Sequence, residues 1–106
     1  MRQAEREAFV FADIAPIRIE EVRAAAARLS GLALRTPVVP IAGAEGGCAV
    51  HLKLEGLQPI GSFKVRPIGN AVLTRGREAL ADGIYASSSG NSALAVAWMA
   101  DRKSVV

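Results

Sequence analysis

The sequence predicts an α/β fold with a parallel sheet. The order of its helical and extended patterns and its composition support that prediction. Helical and extended patterns alternate along the 106 residues, and parallel strands are joined through crossover helices. Hydrophobic residues make up 51% of the chain and charged residues 22%, as in globular proteins. The pattern contains two convincing strands and one weaker one, fewer than an ordinary sheet holds. We therefore expect residues 1–106 to form a single incomplete unit, the opening portion of a larger protein.

The first element is an amphipathic helix that begins near Ile19. Val22, Ala26 and Leu29 follow Ile19 at helical spacing, with charged residues mostly on the other side. Gly31 is the expected end of the helix. Residues 36–40, TPVVP, then form an extended piece that two prolines restrict to a sheet edge or a connection.

The second and third elements are a strand and a helix joined by a glycine-containing loop. Residues 49–55 alternate between apolar and polar side chains, which predicts a strand with His51 facing solvent. No metal site is expected, because His51 has no cysteine or acidic residue at ligand spacing. Ser62 is the predicted cap of a helix running from Phe63 to about Arg75.

The last part of the chain predicts a short helical piece, a brief strand and a final helix. Residues 77–81 are the helical piece, and residues 84–86 are expected to form a buried strand. The final helix runs from Asn91 to about Arg102 and is apolar nearly all round, which predicts burial on every side. Residues 105–106 resemble the start of another strand.

Charge and composition exclude several classes of function. The net charge is +3, but basic and acidic residues are interspersed and only five aromatic residues are present, so nucleic-acid binding is not expected. Cys48 is the one cysteine, so no intramolecular disulfide can form and a reducing compartment is favoured. No apolar run is long enough for a membrane span or a signal core. We expect a cytoplasmic protein.

Two loops carry the residues that predict chemistry. Lys64 lies at the start of a helix, where the helix dipole favours an acidic residue instead. The sequence SSSGN, residues 87–91, leads from a predicted strand into a helix whose free N–H groups can bind a carboxylate or phosphate. Both loops follow the carboxyl ends of predicted strands, the edge at which α/β sheets bind ligands. Together they predict a site for a small anionic molecule.

Two motifs resemble those of a known family. The run LKLEGLQPIGSFKVR, residues 52–66, resembles the cofactor-lysine segment of the fold-type II pyridoxal-phosphate enzymes, the tryptophan-synthase-β-like superfamily. The run SSSGNSALAVAWMA, residues 87–100, is similar to the second motif of that family. Within the family, threonine and serine dehydratases and serine racemase are the nearest group. The resemblance implies a partial three-layer α/β fold, with residues 17–76 opening the large cofactor domain and residues 77–106 opening the small domain.

The resemblance also implies roles for individual residues. Lys64 matches the lysine that forms a Schiff base with pyridoxal 5'-phosphate and then moves the α-proton. Asn91 matches the asparagine that binds the hydroxyl of the cofactor ring, and Phe63 the residue packed beside the ring. The loop predicted to hold the carboxylate of an amino-acid substrate contains Ser88, Ser89 and Gly90. Ser89 is also a candidate acid and base on the face of the substrate opposite to Lys64.

The reaction that the resemblance implies is loss of the β-hydroxyl of threonine or serine as water, after which the resulting imine takes up water and hydrolyses to a 2-oxo acid and ammonia. Racemisation stays open, because racemases of the family have a serine at the position of Ser89.

Pro67 departs from the family pattern, in which glycine is usual, and a proline inside a helix costs about 3 kcal/mol unless the helix starts later. The phosphate-binding loop of the family lies beyond the residue matching Val106, so we expect no turnover from this short chain alone. The alternative is a non-catalytic remnant that self-associates through residues 93–99 into a homo-oligomer.

Overall fold

The computed structural model describes residues 15–43 and 45–103. Within these ranges the chain forms a mixed α/β arrangement of helices and a small sheet. The main elements are α1 (Ile19–Arg28), β1 (Val38–Pro40), β2 (His51–Lys53), α2 (Val65–Ala79) and α3 (Asn91–Lys103). Short 3₁₀ turns lie at Glu45–Gly47 and Glu55–Leu57. The residues 105–106, predicted to start a strand, lie outside the described residues.

Helix α1 confirms the first predicted helix. At its start, the backbone N–H of Arg18 donates to the carboxylate of Glu21 at 2.8 Å, which satisfies a donor that the helix leaves free. The helix ends at Leu29, and Gly31 follows with a φ of +77°. A positive φ is readily available only to glycine, so Gly31 lets the chain turn away from the helix as predicted.

The two strands pair antiparallel, which differs from the predicted parallel sheet. Val39 of β1 lies opposite Leu52 of β2, and Pro40 lies opposite His51. The strands pair antiparallel because the chain between them turns back on itself within ten residues and contains no crossover helix. β1 is an edge strand, as its prolines predict, and His51 is exposed, as predicted.

Helix α2 begins two residues later than the sequence predicts. Its first residue is Val65, which places Pro67 in the first turn, where a backbone N–H has no partner within the helix. The carbonyl of Phe63, which would clash with a proline deeper in the helix, instead accepts from Arg66 at 2.9 Å. The later helix start that the sequence analysis allowed for is therefore confirmed, and the chain avoids the cost of a proline deeper in the helix. Gly76, with φ +76° and ψ 170°, interrupts α2 before its last turn.

The predicted buried strand at residues 84–86 is wrong. These residues form no strand, and Tyr85 is 98% exposed. A strand needs a partner for its backbone groups, and no described strand lies beside this segment. The prediction that α3 is buried on every side is also wrong. Ala95 and Met99 are buried, whereas Leu94 is 51% exposed, so one face of α3 packs inward.

The core lies between α2 and α3 and fixes their relative direction. Val65 and Ala95 are fully buried in one cluster with Ile60. One turn further along both helices, a Cβ at Gly69 would lie 3.8 Å from the sulfur of Met99. Since Val65 to Gly69 runs alongside Ala95 to Met99, the two helices point the same way. No described helix is both long and apolar enough to cross a membrane.

Candidate functional site

Lys64 precedes the first turn of α2 and is half-buried. Its backbone N–H lies 3.4 Å from the hydroxyl of buried Ser62, a long and weak capping contact. Its Nζ lies 5.1 Å from the centroid of the Phe63 ring, which is within cation–π range. Among the described carboxylates, none forms an ion pair with Lys64. Within the described part of the chain, the amine therefore lies beside an aromatic ring and has no acidic partner.

The loop before α3 presents polar groups to solvent. The hydroxyl of Ser88 accepts from the backbone N–H of Gly90 at 3.2 Å, and the carbonyl of Gly90 accepts from Leu94 at 3.2 Å. Asn91 is the first residue of the helix. Ser88, Ser89, Gly90 and Asn91 are all exposed. The N–H groups of this helix start remain available to an anion.

The packing of the two helices places both loops at the same end of the helix pair. Lys64 directly precedes Val65, and Asn91 lies one turn before Ala95, whose side chain shares the cluster of Val65. Because α2 and α3 point the same way, their positive dipole ends face the same side. The helix starts that carry the amine, the amide and the N–H groups thus lie at the same end of the helix pair. The individual roles of these residues stay predictions.

A cavity of about 540 Å³ lies elsewhere, toward the C-terminal ends of α2 and α3. Its lining is mostly apolar and includes Leu32, Leu80, Trp98 and Met99. Lys64 and Asn91 do not line it. The cavity is therefore separate from the predicted site.

The sequence reasoning missed a buried polar network at the base of the Lys64 loop. The carboxylate of Glu55 accepts from Arg66 Nε at 2.9 Å and from a terminal guanidinium nitrogen of Arg66 at 2.8 Å. It also accepts from the Thr36 hydroxyl at 2.6 Å and the Gln58 amide at 3.1 Å. These bonds, led by the one from Arg66, lower the pKa of Glu55 to about 2 despite burial, which acts to raise it.

Gln58 and Arg66 also hold the segment that follows α1. The Gln58 side-chain amide donates to the Leu34 carbonyl at 2.8 Å, and its oxygen accepts from the Leu34 N–H at 2.8 Å. Arg66 donates to the same carbonyl at 2.9 Å. The sequence signal for this network was that Glu55 and Gln58 are polar residues beside a turn, which does not reveal partners 11 to 24 residues away.

The described residues fit the reactive side of pyridoxal phosphate. An amine without an acidic partner can react with the aldehyde, and an aromatic side chain beside it can pack against a pyridine ring. An asparagine amide at a helix start can donate to the ring hydroxyl. The donor set therefore suits an aromatic aldehyde that carries a hydroxyl group.

Comparisons with known proteins agree with this chemistry. The family model described as pyridoxal-phosphate dependent enzyme matches residues 29–105. The L-threonine ammonia-lyase of Geobacter sulfurreducens is 44% identical over 55 residues, which are 52% of this chain and 14% of that protein. The L-threo-3-hydroxyaspartate ammonia-lyase of Pseudomonas sp is 43% identical over 79 residues, 73% of this chain and 25% of that protein.

A third relative is named for a different activity. The threonine synthase of Mycobacterium leprae is 43% identical over 70 residues, which are 61% of this chain and 19% of that protein. No solved structure matches the chain significantly. The chain thus spans a quarter or less of the length of these three relatives.

Proposed function

The chain belongs to the family of pyridoxal-phosphate dependent enzymes, and from that premise we propose that it carries the reactive lysine of a threonine or serine dehydratase. The proposed reaction converts a hydroxy amino acid into a 2-oxo acid and ammonia. The observation that supports it most is Lys64, whose half-buried amine lies beside an aromatic ring with no acidic partner among the described carboxylates. Two relatives that are named ammonia-lyases favour elimination.

Pyridoxal phosphate, when bound, supplies an electron sink that stabilises negative charge at the α-carbon of the substrate. Lys64 would hold the aldehyde end until the amine of the substrate displaces it, and its freed amine would then accept the α-proton. The Asn91 amide would donate to the ring hydroxyl and so orient the ring. Ser88, Ser89 and Gly90 would bind the substrate carboxylate, helped by the positive end of the α3 dipole.

Racemisation is a second candidate, and the hydroxyl of Ser89 is the observation that favours it. A hydroxyl opposite the lysine could return a proton to the other face of the α-carbon. The threonine synthase relative indicates that a third activity occurs among similar proteins. We place elimination first because ammonia-lyases and dehydratases are prominent among the similar proteins.

We also propose that residues 17–76 form the beginning of a large cofactor domain and that residues 77–106 form the beginning of a small domain. The backbone of Gly76, at φ +76° and ψ 170°, breaks α2 at this boundary and supports the division. A parallel sheet in a three-layer arrangement would then be a property of the larger fold, with β1 and β2 as a small antiparallel ribbon beside it.

Incubation of a purified protein that carries both this sequence and the phosphate-binding loop of the family with pyridoxal phosphate and L-threonine or L-serine tests the proposal. We expect formation of a 2-oxo acid and ammonia, and loss of both in Lys64→Ala and Lys64→Arg. The arginine variant keeps the cation beside Phe63 but cannot react with an aldehyde. Conversion of L-serine to D-serine that is lost in Ser89→Ala would favour the racemase, and turnover in Lys64→Arg would reject the lysine assignment.

A further inference from the structure

Both ends of the loop that carries Lys64 are fastened to one carboxylate. Glu55 bonds to Gln58, which starts the loop, and to Arg66, which follows Lys64 by two residues. We name the set Thr36, Glu55, Gln58 and Arg66 the Glu55 clamp. We propose that Glu55, through this clamp, is a positioning residue that aims the amine of Lys64. The proposal rests on the proposed function, because the amine needs aiming only if it reacts.

The clamp closes a short segment that is also held by the burial of Ile60, Ser62 and Val65. Gly61 donates its N–H to the carbonyl of Gln58 at 2.8 Å and adopts a φ of +74°, so the chain reverses there. Between this turn and Arg66, the Lys64 N–H donates to the Ser62 hydroxyl over a long distance. The Lys64 side chain has a ring contact and no ion pair with the described carboxylates. The direction of its backbone therefore depends on the two fastened ends, together with the burial of Val65 and the bond from the Ile68 N–H to the Lys64 carbonyl.

The geometry of Arg66 makes the clamp specific. Its guanidinium bonds to both oxygens of Glu55 and also to the carbonyl of Leu34. Such a bidentate contact fixes the orientation of the guanidinium relative to the carboxylate as well as their distance, which a lysine ammonium does not do. The Glu55 side chain is 15% exposed, so solvent weakens these bonds less than at the surface. The low pKa of Glu55 keeps it charged at neutral pH.

Glu55 acts through other residues and not on the reacting atoms. Its ion pairs are with Arg66 at 2.8 Å and Lys53 at 3.7 Å, and neither involves Lys64. Removing its charge would leave the Lys64 amine chemically unaltered but would release Arg66 from Glu55, so that its bond to the Leu34 carbonyl would have to hold the first turn of α2 to the residues after α1. Because small misplacements of a reacting group cost large factors in rate, this release is expected to slow the reaction of Lys64.

The test measures how fast pyridoxal phosphate is attached to Lys64, without requiring turnover. The amine condenses with the aldehyde and loses one water, borohydride then reduces the C=N bond to a stable amine, and peptide mass spectrometry locates the product. Wild type, Glu55→Gln, Arg66→Lys and Thr36→Val are compared at pH 7. Glu20→Gln is the matched control, because Glu20 is an exposed carboxylate paired with Arg18 on α1. Circular dichroism of each variant checks that the helices persist.

We expect Glu55→Gln and Arg66→Lys to slow labelling of Lys64 by about tenfold to a hundredfold, with unchanged helical signal. Glu20→Gln is expected to label at the wild-type rate. Thr36→Val leaves the ion pair intact and removes one bond to Glu55, so it should fold and give a smaller slowing. If Glu55→Gln unfolds, Arg66→Lys and Thr36→Val decide the question.

The outcomes separate the two proposals. If Lys64→Arg shows the same labelling pattern as wild type, the lysine assignment is wrong and the proposed function fails with it. If Lys64 is the labelled residue but the folded clamp variants react at the wild-type rate, the proposed function stands and the positioning role of Glu55 is wrong.

Discussion

Lowering the pH below 4.5 is expected to weaken the fold through Glu55. The pKa of this carboxyl is about 2 in the folded protein, against an ordinary value of 4.5. The unfolded chain therefore binds a proton before the folded chain does, and the stabilisation present above pH 4.5 is lost as the pH falls toward 2. A shift of this size corresponds to about 3 kcal/mol at 1.36 kcal/mol per unit. Partial exposure of the side chain reduces the expected value to about 2 kcal/mol.

Urea unfolding from pH 7 to pH 2 measures this contribution as a difference between variants. The free energy of unfolding of wild type minus that of Glu55→Gln should be largest at pH 7 and should shrink steadily below pH 4.5. Arg66 remains charged throughout, because its bond to Glu55 raises the Arg66 pKa above its ordinary value. Glu20→Gln should track wild type to within about 0.5 kcal/mol, since its ion pair is exposed. A constant difference across this pH range would show that the Glu55 charge does not stabilise the fold.

Two glycine positions give further predictions, measured by the same urea unfolding at pH 7. Gly69→Ala should destabilise by about 1 to 2 kcal/mol, because its Cβ would lie 2.9 Å and 3.0 Å from methyl carbons of Leu32 and Leu29. A neutral Gly69→Ala would contradict the close approach of the chain at this point. Gly76→Ala should cost about 1 to 3 kcal/mol from backbone strain at φ +76°. Gly56→Ala is the control for both, since its Cβ would meet open space and its φ is not positive.

The local patterns of the sequence were sufficient to predict the helices. The spacing of Ile19, Val22 and Ala26 predicted α1, and the start of α3 at Asn91 was predicted from the serine and glycine turn before it. Both signals act within a few residues, and packing later reinforces them. The start of α2 was misplaced by two residues, because Ser62 caps weakly and the chain turns again before Val65.

Features that depend on distant partners were not predictable in the same way. Residues 84–86 have the β-branched and aromatic character of a strand, yet the described chain provides no neighbouring strand to pair with them. The clamp joins Thr36 and Leu34 to Glu55, Gln58 and Arg66 across long stretches of sequence. Alternation along the predicted strand, residues 49–55, assigned Glu55 to its polar side. A single sequence carries no information about which arginine Glu55 bonds to.

Identification of the residue that pyridoxal phosphate modifies is the most direct test of the whole account. After incubation of the protein with the cofactor, borohydride reduction and proteolysis, mass spectrometry should find the added mass on the peptide that contains Lys64. Lys53 provides an internal comparison, because its Nζ is already bonded to the Thr36 carbonyl at 3.0 Å. Modification of Lys64 well ahead of Lys53 is the predicted result. Equal modification of the two lysines, or preference for Lys53, would contradict the assignment of Lys64 as the cofactor lysine.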